Sequence, residues 1–206
     1  MPRPRVAALA VALLAAAVLA ACGSDDSKAV RTGPDNATGR GTAATVPAAA
    51  SGPPGSCTLT DGGTTDRSAP ASTSTSLLTA VQAAVHEGCD RIVFEFRDGT
   101  PPGFDVGYKP GPFTRGESDE PLEVQGAAYL VVRMDKASGL DQSSPMATPS
   151  YTGPRALTGL GLAHAAEVVN SEDFEGVMTW VVGLDSQRPF TVTTLSSPPR
   201  VVVDVS

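Results

Sequence analysis

Clusters of carboxylates are the residues of this sequence best suited to acid–base chemistry. One cluster comprises Glu172, Asp173 and Glu175, and a second comprises Glu117, Asp119 and Glu120. Two carboxyl groups on either side of a glycosidic bond can hydrolyse it, one as the acid and the other as base or nucleophile. Because acidic loops are more often solvated surface, a hydrolase that uses such a pair is kept as the alternative function.

Other kinds of catalytic site lack the residues they need. A zinc site takes several histidine, cysteine or carboxylate ligands that converge on one metal, and the only histidines are His86 and His164. His164 and Glu167 have the spacing H-x-x-E, but they lie in a loop that enters a predicted strand, where this spacing does not bring side chains together. No G-x-S-x-G motif marks a serine nucleophile. We therefore predict no catalytic residue, no metal and no cofactor.

Cys22 follows a segment that is typical of a signal peptide. Arg3 and Arg5 precede an apolar run from Val6 to Val18, which is shorter than the roughly 20 residues that span a hydrocarbon core. The motif Leu19-Ala20-Ala21-Cys22 resembles the lipobox of bacterial lipoproteins, in which the cysteine thiol carries a diacylglycerol. We predict that residues 1–21 are cleaved and that acylated Cys22 holds the protein on the extracytoplasmic face of the cell membrane.

Cys57 and Cys89 remain as a pair once Cys22 is acylated. The compartment outside the membrane is oxidising, or at least not reducing, which favours a disulfide between them. Such a bridge would attach a polar segment to the start of a core strand and stabilise the domain by about 3–4 kcal/mol. Two free thiols are the alternative.

Five side chains are candidates for ligand binding, because each combines an aromatic ring or a charge with a position at a strand end or in a loop. They are Tyr108, Tyr151, Phe174, Asp185 and Arg188. Tyr151 belongs to a long polar loop and is expected to be exposed. Arg188 could equally tie a hairpin to Asp185, so a structural role for that pair stays open. Trp180 is predicted to lie in the core.

The charge of the chain excludes several classes of partner. The formal net charge is −7, and cleavage of the leader removes two arginines and takes it to −9. Nucleic-acid binding needs a basic stripe that displaces counterions, and none is present. Negative charge also disfavours an electrostatic contact with anionic lipid, so the acyl chains on Cys22 are the expected membrane anchor.

Composition divides the chain into a tether and one domain. From residue 22 to residue 56 nearly all side chains are small or polar, so this stretch cannot bury enough apolar surface to fold and is predicted to be disordered. Residues 57–75 are expected to form a loose segment held by the disulfide. Hydrophobic patterning from residue 76 to residue 206 predicts a single domain.

Short β-branched runs separated by glycine and proline predict strands throughout this domain. The predicted strands cover residues 91–96, 104–108, 122–124, 129–134, 165–170, 177–184, 190–195 and 200–205. Residues 77–86 suit either a helix or a strand, and we choose a strand that turns at His86-Glu87-Gly88 into the next one. The expected fold is all-β, an antiparallel sandwich of two small sheets.

Two of these strands repeat one pattern: arginine, three apolar residues, an acid and an apolar residue. They are Arg91–Phe96 and Arg200–Val205. In each strand the arginine and the acid share one face, and the hydrophobic residues share the other. We expect the two segments to occupy equivalent places in the two packed sheets.

Four segments in order carry a resemblance to a known family. Asp90–Phe96, Phe174–Asp185, Arg188–Phe190 and Pro198–Val205 resemble the AMIN-like domain of actinobacterial lipoproteins. That family is more distantly similar to the AMIN domain of N-acetylmuramoyl-L-alanine amidases. The resemblance implies a small β-sandwich that binds or localises to the cell wall, through peptidoglycan or a wall-associated protein, without catalysis. It implies no particular site residue.

Overall fold

The computed structural model describes residues 57, 59, 62–71, 73–97 and 99–206, with residue 117 described by its backbone only. The predicted signal peptide, the acylation site Cys22 and the tether up to residue 56 lie outside the described residues. Within the described part, no helix has both the length and the apolar character that crossing a membrane requires.

The described chain is almost entirely β-structure, as the sequence predicts. The strands are β1 (Arg67–Ala69), β2 (Ser76–His86), β3 (Cys89–Phe96), β4 (Gly103–Tyr108), β5 (Phe113–Thr114), β6 (Pro121–Leu122), β7 (Ala128–Asp135), β8 (Ala137–Ser138), β9 (Leu140–Asp141), β10 (Thr148–Pro149), β11 (Ala156–Thr158), β12 (Ala165–Phe174), β13 (Val177–Leu184), β14 (Phe190–Ser196) and β15 (Pro199–Val205). A single turn of 3-10 helix, Gly116–Ser118, lies between β5 and β6.

Two sheets enclose the core. The six-stranded sheet has the order β1-β4-β7-β13-β12-β11, and all its neighbours are antiparallel. The five-stranded sheet has the order β14-β15-β3-β2-β8, and only the short β8 pairs in parallel. Lys136 connects β7 of one sheet to β8 of the other. Two small ribbons, β5-β6 and β9-β10, complete the fold.

Alternation along the central strands places large side chains between the sheets. Ile92, Phe94 and Phe96 of β3 share the inner face, as predicted, and are almost fully buried. Trp180 of β13 is also buried, as predicted, and its ring lies 5.8 Å from that of Phe94 in the other sheet. The contact joins the two sheets within the core. Each fully buried large side chain stabilises the folded state by roughly 1.5–3 kcal/mol relative to its exposed state.

The strand chosen for residues 77–86 is confirmed. β2 pairs antiparallel with β3 across Glu87 and Gly88, and Gly88 has a φ of 87°, which glycine adopts without strain. Another predicted strand, at residues 122–124, is reduced to the two residues of β6. β12 is longer than predicted and continues to Phe174. A two-residue turn, Glu175-Gly176, then leads into β13.

The two repeated segments are neighbours in one sheet, so the expectation that they lie in different sheets is wrong. β3 and β15 pair antiparallel with Arg91 opposite Asp204 and Glu95 opposite Arg200. Reversal of one strand aligns each arginine with the acid of the other copy. Arg91 Nε lies 2.7 Å from Asp204 Oδ1, and Arg200 Nε lies 2.9 Å from Glu95 Oε2. The pattern therefore encodes two reciprocal cross-strand ion pairs.

Cys57 and Cys89 form a disulfide, and their Cα atoms lie 5.9 Å apart. This separation falls within the usual range for a bridge. The segment after Cys57 makes further contacts that the sequence did not predict. Gly63 forms a bridge with Phe190 of β14, and β1 adds an edge strand beside β4. Residues before β2 thus contribute to both sheets.

Candidate functional site

The predicted ligand-binding residues lie at two opposite ends of the sandwich. Tyr108 ends β4 and Asp185 follows β13, and both belong to the end where the disulfide lies. Phe174 ends β12 at the other end, beside the start of β13. Since β13 has eight residues, about 23 Å separates the two ends at roughly 3.3 Å per residue. The five candidates therefore cannot form one site.

Tyr108, Asp185 and Arg188 form one network at the disulfide end. The Arg188 guanidinium donates to both carboxylate oxygens of Asp185, at 3.0 and 2.8 Å. The Tyr108 hydroxyl donates to the Arg188 carbonyl and accepts from the Arg188 N–H, both at 2.8 Å. These bonds anchor the connection from β13 to β14. This connection leads from the six-stranded sheet to the five-stranded sheet, so it is not a hairpin. The network supports the structural role that the sequence left open, while ligand binding by these residues stays a prediction.

Charge and burial shift the ionisation of this network. Hydrogen bonds from Arg188 hold the pKa of Asp185 well below its usual value, and hydrogen bonds to Asp185 raise the pKa of Arg188. Burial raises the pKa of the Tyr108 hydroxyl. Asp185 and Arg188 are therefore both charged across the physiological pH range, and they form an ion pair with each other.

Asp90 is a structural centre that the sequence analysis missed. Its carboxylate is fully buried and accepts three backbone N–H groups, from Ala163 at 2.8 Å, His164 at 2.6 Å and Ala165 at 2.9 Å. His164 also approaches Asp185, with 3.5 Å between Nδ1 and Oδ2. A signal existed in the sequence, because an acid at the start of an apolar strand needs several donors once it is buried.

Tyr151 is half-buried, not exposed as predicted. Its ring meets Trp180 edge-on at 5.9 Å, and its hydroxyl donates to the Pro154 carbonyl at 2.7 Å. Burial raises the pKa of this hydroxyl. The residues after it, from Thr152 to Pro154, are exposed. The Tyr151 side chain thus covers the core near Gly139. Its hydroxyl, the polar group that could have bound a ligand, is bonded to the backbone of its own loop.

A cleft of about 680 Å³ opens beside Phe174, and we call it the Phe174 cleft. It is lined by Thr75, Leu77, Lys136, Ser138, Leu140, Asp141, Gln142, Ser143, Asp173, Phe174, Glu175 and Gly176. Phe174 is 49% exposed and Leu140 is 38% exposed, so two apolar side chains face solvent there. The volume is in the range of small-ligand sites, and the lining combines apolar, charged and hydroxyl groups.

Two carboxylates of the cleft are already held by the protein. Asp173 Oδ2 accepts the Gly139 N–H at 2.8 Å. Asp141 lies 2.7 Å from Arg97 Nη1, and hydrogen bonds from Ser143 and Arg97 lower its pKa. Both groups help to shape the cleft wall, whereas Lys136 and Glu175 are exposed charged residues of the lining.

A metal centre does not fit the donor set. Among the described residues, the group of possible metal ligands that lies close enough together is Cys57, Cys89 and Asp204. The two cysteines are joined as a disulfide, and Asp204 is held by Arg91 at 2.7 Å. A disulfide offers no thiolate to a metal, so this cluster cannot coordinate one in the oxidised protein.

Comparison with known proteins identifies the domain. The family model of the AMIN-like domain matches residues 76–206, which is more than half of the chain. Searches of curated proteins and of solved structures each return no match. The segments at Asp90, Phe174, Arg188 and Pro198 that resembled this family all lie within the matched region. The chain therefore belongs to the AMIN-like domain family.

Proposed function

We propose that this protein is a lipid-anchored, non-catalytic envelope protein whose AMIN-like domain binds the cell wall at the Phe174 cleft. Membership of the AMIN-like domain family suggests a module that associates with peptidoglycan, and domains of this family are generally non-catalytic. The family match supports an extracytoplasmic location in the envelope. The cleft and the anchor are our own additions to that general role.

The observation that carries the proposal is the position of the cleft relative to the expected anchor. The predicted tether joins the described domain at Cys57, which is bonded to Cys89 beside the end of β2. Thr75 and Leu77 line the cleft at the start of the same strand. β2 has 11 residues, so about 30 Å of strand separates the two. A tether attached at Cys57 would therefore join the domain at the end opposite the Phe174 cleft and leave the cleft accessible to a ligand in the wall.

A sacculus-binding assay tests this function. A soluble form that starts at Gly23 should co-sediment with purified sacculi, and Phe174→Ala should weaken retention by about tenfold or more if Phe174 anchors the ligand. Val85→Ala is the matched control, because Val85 is an exposed apolar residue at the opposite end of β2. Sacculi that fail to retain the wild-type protein would refute wall binding.

The alternative hydrolase has one supporting observation, which is that Asp173 and Glu175 both line the cleft. Release of soluble muropeptides from sacculi, abolished by Glu175→Gln, would favour it over binding alone. We expect no release, because AMIN-like domains are generally non-catalytic; Asp173 Oδ2 accepts the Gly139 N–H in the cleft wall.

Anchoring has its own test. Cys22→Ser should leave the protein unprocessed or release it into the medium, whereas the wild type should carry an acyl label and remain with the membrane. A Cys22→Ser protein that is processed and still membrane-bound without acyl label would overturn this part of the proposal.

A further inference from the structure

Two opposite charges in the Phe174 cleft have no ion-pair partner among the described residues. They belong to Lys136 and Glu175, which are both exposed. The other acids of the lining differ, because Asp141 is paired with Arg97 and Asp173 accepts a backbone N–H. Lys136 and Glu175 are therefore the two charged side chains of the lining for which the described residues show neither an ion pair nor a hydrogen bond.

The backbone holds these two residues close together in unusual conformations. Lys136 has a φ of 57° and Glu175 has a φ of 49°, a region that glycine and asparagine occupy more readily than lysine or glutamate. The N–H of Ala137 donates to the carbonyl of Gly176 at 2.9 Å, so the two turns are bonded to each other. Glu175 and Gly176 both have a positive φ, 49° and 78°, as the central residues of a two-residue hairpin turn require, and the bonded turns fix the backbone of Lys136 and Glu175 at the cleft.

We infer that the Phe174 cleft binds the zwitterionic end of a peptide, which carries a free ammonium and a free carboxylate on an aliphatic chain. This inference rests on the proposed function and names its ligand as a stem peptide of the wall, not the glycan strand. Lys136 would bind the carboxylate and Glu175 the ammonium. The exposed ring of Phe174 would pack on the aliphatic chain and attract the ammonium through its face.

A neutral sugar would bind the same cleft with lower affinity than the zwitterionic end of a peptide. Its hydroxyl groups can replace water around Lys136 and Glu175, but they cannot neutralise either charge. A ligand with only one charge would satisfy one of the two side chains and leave the other without a counter-charge. The zwitterion is the simplest ligand that matches both charges and the apolar surface of Phe174 and Leu140.

The test measures binding of the mature protein to disaccharide-peptide muropeptides by titration calorimetry. The muropeptides are released from sacculi by a muramidase and carry a free amine and a free carboxylate on the stem. N-acetylation of that amine should weaken binding by about tenfold or more, and glycan strands stripped of stems should not bind. Lys136→Asn and Glu175→Asn should each cause a similar loss.

Asparagine is the chosen replacement because it removes the charge and tolerates a positive φ. Melting temperatures of both variants should therefore equal or exceed that of the wild type. The matched controls are Lys109→Asn and Glu123→Asn, which remove exposed charges outside the cleft and should leave affinity unchanged.

Different outcomes overturn different claims. The zwitterion site would be refuted if sacculi retain the protein but its affinity for muropeptides is unchanged by N-acetylation and by both cleft variants. Wall binding would still be supported in that case. Equal affinity for stripped glycan strands would have the same two consequences. Sacculi that never retain the wild type would refute the proposed function and this inference together.

Discussion

The buried carboxylate of Asp90 offers the sharpest test of how this fold is held together. Asp90 is fully buried, and its two oxygens accept the backbone N–H groups of Ala163, His164 and Ala165. Asp90→Asn keeps the shape of the side chain but replaces one acceptor oxygen by an NH₂ donor. We expect this single change to loosen the loop before β12 from the start of β3.

The size of the effect follows from the three bonds. Ala163 binds Oδ1, and the other two N–H groups bind Oδ2, so an asparagine oxygen at the Oδ2 position retains two bonds and loses one. A buried N–H left without an acceptor costs about 1–3 kcal/mol. The two remaining bonds lose their charge and weaken by roughly half, about 1 kcal/mol each. The total loss is about 3–5 kcal/mol of unfolding free energy.

Chemical denaturation of the oxidised protein measures this loss, and amide hydrogen exchange locates it. Asp66→Asn is the matched control, because Asp66 pairs with Lys109 on the surface at 3.2 Å and such pairs contribute about 0–1 kcal/mol. We expect the amides of Ala163, His164 and Ala165 to lose protection in Asp90→Asn alone. A loss below about 1 kcal/mol, with these amides still protected, would falsify the role assigned to Asp90.

Three further predictions concern the rest of the domain. Arg200→Glu should destabilise the protein by about 1 kcal/mol because it faces Glu95 across the strands, and the double exchange Arg200→Glu with Glu95→Arg should recover most of the loss in the same denaturation assay. Reduction of the Cys57–Cys89 bridge, which spans 32 residues, should lower the unfolding free energy by about 3–4 kcal/mol, whereas equal stability with and without reductant would contradict the chain-entropy argument. Because hydrogen bonds from Arg188 depress the pKa of Asp185, the stability from that pair is fully present above about pH 4 and is lost as the pH falls toward the folded pKa. Asp185→Asn should therefore flatten the acid side of the melting profile, and an unchanged profile would count against this linkage.

Much of the strand pattern was predictable from local sequence. Alternation in Arg91–Phe96 identified both the strand and its buried face, because side chains along a strand point to opposite sides in turn. The Glu87-Gly88 turn was recognisable from its glycine and the apolar runs around it. The short strands β1, β8 and β11 carried no such signal, since they have two or three residues and pair only because a longer strand offers a free edge.

The candidate site was predictable only in part. Phe174 stood out as an aromatic residue at a strand end or in a loop, and in the structure it lines a cleft. Lys136 was missed because a lone lysine after an apolar strand has no distinctive pattern. Its proposed role depends on its place in the cleft lining, which the crossing from β7 to β8 and the bond between Ala137 and Gly176 determine.

The amino-acid sequence by itself determined the all-β class, the core face of β3, the cysteine pair and the family resemblance. Each depends on residue type, spacing or order along the chain, which local physical chemistry can interpret. Only the tertiary structure decided that β3 and β15 are neighbours, that Arg188 binds both Asp185 and Tyr108, and that Phe174 and Lys136 line one cleft. These facts depend on strand order and register between residues far apart in the chain, and periodicity within a strand is the same whichever partner it pairs with.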